Sequence, residues 1–194
     1  KSELIKNDKV ISKYSNYAKF FRFTYLKEGN TQEKVDSART FLKEQNYRNG
    51  YVTIDASDWY IDSRLVKRLR ENPLADISGF KEFYLNHMWE RAQFYEKLSL
   101  EVNGRHISHS LLLHHNLAAA LFIDDLIEMF KDKGWEIVSA TKAYEDPVYK
   151  TETNFAGEGL IYAQARDSGK YDDVLRYPAE DSRYEKEKMD KLGL

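Results

Sequence analysis

Ser110-Leu111-Leu112-Leu113-His114-His115-Asn116 is an apolar run that ends in three polar side chains. Read as a strand, it alternates its side chains: Ser110, Leu112 and His114 share one face, Leu111 and Leu113 the other. With Leu111 and Leu113 packed on helices, Leu112 and His114 point toward a mouth and His115 points away. Asn116 is placed to cap a helix over 117–133, with Phe122, Leu126, Met129 and Phe130 as its stripe and Gly134 as its stop. A strand feeding a helix in this way predicts one unit of an alternating α/β fold.

The same unit recurs on either side. Phe20-Phe21-Arg22-Phe23 reads as a strand, and Thr31 as the cap of a helix carrying Val35, Ala38, Phe41 and Leu42. Tyr51-Val52-Thr53-Ile54 reads as a strand running into an acidic loop from Asp55 to Asp62. A long helix is expected over 77–101, with Phe80, Phe83, Tyr84, His87, Met88, Arg91, Phe94 and Tyr95 on its inner face. Trp135 to Ser139 reads as a last short strand, and residues 2–17 as an opening amphipathic helix. The alternation predicts parallel strands with outer helices, whose chemistry gathers at the strand ends. Those ends carry Arg22, Thr24 and Tyr25; Asp55, Asp58 and Trp59; His114, His115 and Asn116. The expected organisation is a main body over 1–146 and an irregular or partly helical extension over 147–194 packed on it.

Composition narrows the function classes. Among 194 residues, 30 Lys and Arg face 32 Asp and Glu, giving a net charge of −2. A near-neutral domain lacks the basic footprint of a nucleic-acid binder. Aromatic content of 14% opposes disorder. The richest apolar stretch, 111–127, is interrupted by His114, His115, Asn116, Asp124 and Asp125, so no membrane span is expected. The absence of Cys removes disulfides, thiolate metal sites and Cys nucleophiles. The chain opens on Lys1 with no charged-then-apolar leader, as expected of one processed, trimmed or cut from something longer.

Three segments, taken in order, resemble motifs of the polysaccharide deacetylase (NodB-homology) family. Phe21-Arg22-Phe23-Thr24-Tyr25-Leu26-Lys27-Glu28-Gly29 is similar to its third motif, Asp55-Ala56-Ser57-Asp58-Trp59 to its fourth, and Leu111-Leu112-Leu113-His114 to its fifth. Gly134-Trp135 and Asp146-Pro147-Val148-Tyr149 also resemble the family, over roughly residues 1–150. The resemblance implies a partial distorted (β/α) barrel and metal-dependent removal of acetyl groups from a polysaccharide, usually from N-acetylglucosamine units. It implies His114 as general acid, Asp58 as the carboxylate tuning it, and Trp59 with Leu112 as walls of the acetyl pocket. Arg22 would orient the catalytic base, and the backbone N–H of Tyr25 would serve an oxyanion hole. An exported location and a divalent metal, with zinc favoured, are implied as well. The chemistry suits the residues: amide hydrolysis needs a proton donor for its leaving nitrogen, and an imidazole with an ordinary pKa of ~6.5 can supply one. A guanidinium fork suits the holding of a carboxylate.

The departures are as informative. The family's first motif, an Asp-Asp stretch with base and metal ligand, and its second, two His four apart, are missing. Asp124-Asp125 lies after the fifth motif, within the helix over 117–133. No metal ligands are therefore expected in this chain, and truncation, or completion by a partner or oligomer, is the expected account. Thr24 stands where the family commonly has Pro.

Plainer readings stand beside these. Arg22 reads equally as a strand-end ion pair with Glu28, Asp55 and Asp58 as turn caps, and Trp59 as core. His106-Ile107-Ser108-His109 reads as an exposed loop rather than a metal site. Tyrosines 144, 149, 162, 171, 177 and 184 form either a sugar-stacking surface or anchors for the extension. Glu185-Lys186-Glu187-Lys188 reads as a solvated helical end. Two functions follow: a hydrolase acting on an acetylated amino sugar or polysaccharide, or a non-catalytic carbohydrate-binding or assembly module.

Overall fold

In the computed structural model, residues 1–172, 175 and 181–194 are described. Their frame is helical. Helix α4 (Ser78–Asn103) runs through the centre, burying Phe80, Tyr84, Met88, Ala92 and Tyr95 at spacings of three and four. That periodicity puts one continuous stripe against α3 (Asp58–Glu71), α5 (Leu117–Asp132) and α7 (Leu160–Ser168). Gly104 ends α4 in the left-handed conformation at φ 68°, which glycine adopts without steric cost. Ile61 and Leu65 of α3, Phe122 and Leu126 of α5, and Leu160 and Ile161 of α7 join one core. Each such side chain, fully buried, contributes about 1.5–3 kcal/mol.

Around this core lie α1 (Ser2–Ile11), α2 (Gln32–Glu44), the short α6 (Ala140–Ala143) and α8 (Arg183–Leu192). Thr31 and Asn116 cap α2 and α5 through their side-chain oxygens, at 3.4 Å from Lys34 N and 2.8 Å from Ala119 N. Helix α1 is shorter than the expected 2–17. Beyond it the chain turns back, and Asp8 accepts hydrogen bonds from both Tyr17 and Tyr47 at 2.7 Å.

The expected (β/α) barrel is overturned. Among the described residues the only sheet is two-stranded and parallel, with β1 (Phe20–Phe21) pairing β2 (Arg48–Asn49), and a single parallel bridge joins Ile54 to Leu111. Residues 51–54 and 110–113 do run side by side, but side chains displace the ladder. Ser110 Oγ donates to Tyr51 O at 2.8 Å, and Thr53 Oγ1 accepts the Ser110 N–H at 2.8 Å. Hydroxyls that capture backbone groups in this way replace strand pairing with local bonds. Residues 135–139 form no strand either: Trp135 N–H closes α5 by donating to Phe130 O, and Ser139 caps α6. With so little sheet to cover, the helices pack on one another.

The acidic loop expected over 55–62 is another correction, because α3 begins at Asp58. An aspartate in the first turn stabilises the positive end of a helix, so the acid that reads as a loop residue starts one. Tyr144, Tyr149 and Tyr162 are buried anchors, Tyr171 packs partly on the core, and Tyr184 is exposed; Tyr177 lies outside the described residues. Glu185 is buried and faces His87 of α4 at 3.5 Å, so the charged run on α8 is not wholly solvated.

Candidate functional site

The bridge between Ile54 and Leu111 brings two chain segments out at one place. From the first, the chain passes through Asp55, Ala56 and Ser57 into α3; from the second, through His114 into α5. The segment after β1 closes the third side. Together they surround a cavity of about 720 Å³ lined by Arg22, Tyr25, Asp55, Trp59, Leu112 and His114 among others. Such a volume suits a small ligand. Leu111 and Leu113 pack on the core while Leu112 and His114 face the cavity.

Asp58 stands behind His114. It has no exposed surface, and its Oδ1 lies 2.7 Å from His114 Nδ1. Its Oδ2 accepts the His114 backbone N–H at 2.8 Å and the Asn116 amide at 3.1 Å. An ionised carboxylate only accepts, so Nδ1 carries the proton, and Nε2 is left to meet whatever enters. Half of the His114 side chain is exposed. Four residues further along α3, Asp62 accepts the Ala118 N–H at 2.9 Å, so α3 stitches down the start of α5 at two points. Below the pair lies the Tyr84 hydroxyl, buried with no hydrogen-bond partner among the described residues. Burial, with the charges of Asp58 and Asp62, pushes it well above the usual tyrosine range.

Arg22 and Tyr25 come from the loop after β1. Tyr25 and Leu26 both have positive φ, 54° and 57°, within a short 3-10 turn over Thr24–Leu26. Non-glycine residues in that region cost about 1–3 kcal/mol each, and such strain clusters at functional sites. Two backbone bonds hold the turn: Leu26 N–H donates to Phe23 O at 3.0 Å and Lys27 N–H to Thr24 O at 3.2 Å. Glu28, offered above as a partner for Arg22, is buried and bonds Arg39 instead at 2.6 Å. Arg22 itself is exposed on the cavity wall.

Of the residues singled out from the sequence, Arg22, Tyr25, Trp59, Leu112 and His114 thus line one cavity, and Asp58 holds His114 from behind. His115 is exposed, and Asp125 pairs with Lys81 at 3.0 Å. In the His106–His109 segment, His106 is exposed as expected and pairs with Glu96, while His109 is not. The His109 side chain is buried, donates from Nε2 to Glu96 at 2.7 Å, and faces Thr53 Oγ1 at 3.0 Å through Nδ1. Burial pushes His109 below the usual histidine range, and the two histidines, outweighing burial, pull Glu96 below the usual carboxylate range. Glu96 belongs to α4, so spacing within the loop gave no sign of it. Asn116 was visible as a helix cap, but its second bond, to Asp58, was not.

Among the described residues, no three His, Asp or Glu side chains gather closely enough to hold a metal ion. No helix among the described residues is long and apolar enough to cross a membrane. What fold and cavity define is a helical scaffold carrying a His–Asp pair on the wall of an open site. Set against family models, characterised proteins and solved structures, the chain matches none.

Proposed function

We propose that this cavity is the acid half of a carbohydrate de-N-acetylase site, acting on an acetylated amino sugar or polysaccharide. The observation that carries the reading is the Asp58–His114 bond of 2.7 Å beside Arg22, Tyr25, Trp59 and Leu112. In amide hydrolysis, water adds to the acetyl carbon, the C–N bond breaks, and the nitrogen leaves as an amine once protonated. The imidazolium form of His114, with a proton on each ring nitrogen, gives the proton from Nε2 and returns to the Nδ1–H tautomer, while Asp58 balances the imidazolium charge and fixes the ring. Trp59 offers an apolar face to the sugar or its methyl group, and Leu112 narrows the wall. Arg22 presents to the same cavity a guanidinium fork suited to orienting the carboxylate of a catalytic base. The acid step is the one these residues supply.

Titration with N-acetylglucosamine oligomers tests this. Saturable shifts of the Trp59 and His114 NMR signals are expected, with Trp59→Ala weakening affinity about tenfold. No shift at any concentration overturns the reading. A stoichiometric zinc ion with deacetylation by this chain alone would show a whole site rather than half of one. A second reading, a non-catalytic carbohydrate-binding or assembly module, rests on the same cavity wall, where Trp59, Tyr25 and Leu112 offer apolar faces that can hold a sugar without hydrolysing it. The coding sequence upstream of Lys1 separates the two: an Asp-Asp and a His pair four apart belong to the enzyme, their absence to the module.

A further inference from the structure

We infer that Asn116 is a positioning residue for the His114–Asp58 pair, locking the carboxylate and the start of α5 into one geometry. The inference rests on the reading of His114 as the acid. Asn116 uses both ends of its amide. Oδ1 accepts the Ala119 N–H at 2.8 Å, and Nδ2 donates to Asp58 Oδ2 at 3.1 Å. Only one of the two amide orientations satisfies both bonds, since a flipped amide would set oxygen against a carboxylate and N–H against N–H. Asp58 Oδ2 then holds two donors, Asn116 Nδ2 and the His114 backbone N–H, while Oδ1 is left for His114 Nδ1. Two donors on one oxygen fix the carboxylate plane, and the plane decides whether Oδ1 meets the imidazole edge. A helix cap needs only Oδ1. The Nδ2 bond adds nothing to capping and acts on the pair alone.

Substitutions separate the two roles, because Ser and Asp are both strong helix caps. Asn116→Ser keeps an acceptor for the cap and removes the donor; Asn116→Asp keeps the cap and sets a second carboxylate against Asp58. The readout is the His114 Nδ1 proton and the imidazole nitrogen shifts in NMR spectra of the full chain. In the parent protein a single Nδ1–H tautomer is expected. In Asn116→Ser its exchange with water quickens about tenfold, the size of one lost hydrogen bond to a charge, and in Asn116→Asp the single tautomer is lost. The thermal midpoint falls in both variants, and further in Asn116→Asp, because buried Asp58 loses a donor in each and meets a like charge in the second. If the Nδ1 proton and its exchange are unchanged in both variants, whatever their midpoints, Asn116 is a cap alone and the inference falls. Titration with N-acetylglucosamine oligomers is run on the parent in parallel. Absent sugar binding with altered tautomers sinks the functional reading and leaves the positioning role standing; sugar binding with unaltered tautomers does the reverse.

Discussion

Asp58 takes three hydrogen bonds, two of them from His114, although 56 residues separate the two in sequence. A carboxylate with no exposed surface needs such donors, because an unpaired buried charge is costly. Its neighbour Tyr84 has the opposite accounting: the ring packs against Phe122 at 5.8 Å, yet the buried hydroxyl has no partner among the described residues. Burying a donor unpaired costs about 1–3 kcal/mol, so Tyr84→Phe is expected to stabilise the protein by about 1 kcal/mol in urea unfolding. A loss of stability would show that the hydroxyl is satisfied in solution. At this scale much of the site was legible. Alternation along 110–114 separates His114 from His115, and residue type marks Arg22, Asp58 and Trp59. Bonds between distant segments leave no such trace. Asn116 to Asp58 and Glu96 to His109 are each made across elements, and neither spacing nor composition encodes them.

Among the elements, the turn after α6 is tied by one acid. Asp146 accepts from Arg105, from Ser108 N–H at 2.9 Å and from Val148 N–H at 2.9 Å, joining the loop before 110 to the turn Pro147–Lys150. Burial pushes its carboxyl up, but these donors outweigh burial and hold it at about 2. A carboxylate with a depressed folded pKa stabilises fully above its ordinary value of ~3.9, and that contribution is lost as pH falls toward 2. Arg105 is nearly half exposed, and screening reduces the effect to about 1–2 kcal/mol. Asp146→Asn should therefore lower stability by that amount at pH 7, and its stability should fall less steeply between pH 4 and 2. Parallel acid curves for parent and variant would refute this. The helices α2, α4 and α5 were readable because a period of 3.6 persists over three turns or more in each. Four-residue runs such as 51–54 and 110–113 carry no comparable period, and their composition suits a strand or a hydroxyl-bonded extended segment equally. Helix α3 was hidden by its own first turn, where acids that favour a helix start are also the acids of loops.

For the molecule as a whole, the open question is whether residues 147–194 form a layer over a finished body or complete it. Ile161 has no exposed surface, and α7 packs on α4 within the same core that holds Phe80, Met88 and Leu126. Interiors are packed so closely that a void in one element is felt by its neighbours. Ile161→Ala leaves a cavity worth about 2–5 kcal/mol. Trp89 lies on α4 and stacks edge-on with Phe130 at 6.0 Å and Trp135 at 6.3 Å, far along the chain from the altered residue. If one core serves the whole chain, Trp89 fluorescence and far-ultraviolet circular dichroism shift together to lower denaturant in this variant, by the same free energy. If the last part of the chain were a separate layer, Trp89 would keep its parental midpoint while a fraction of the helical signal melted early. The shared stripe on α4 predicts the first result, because α4 cannot bury that face without α7.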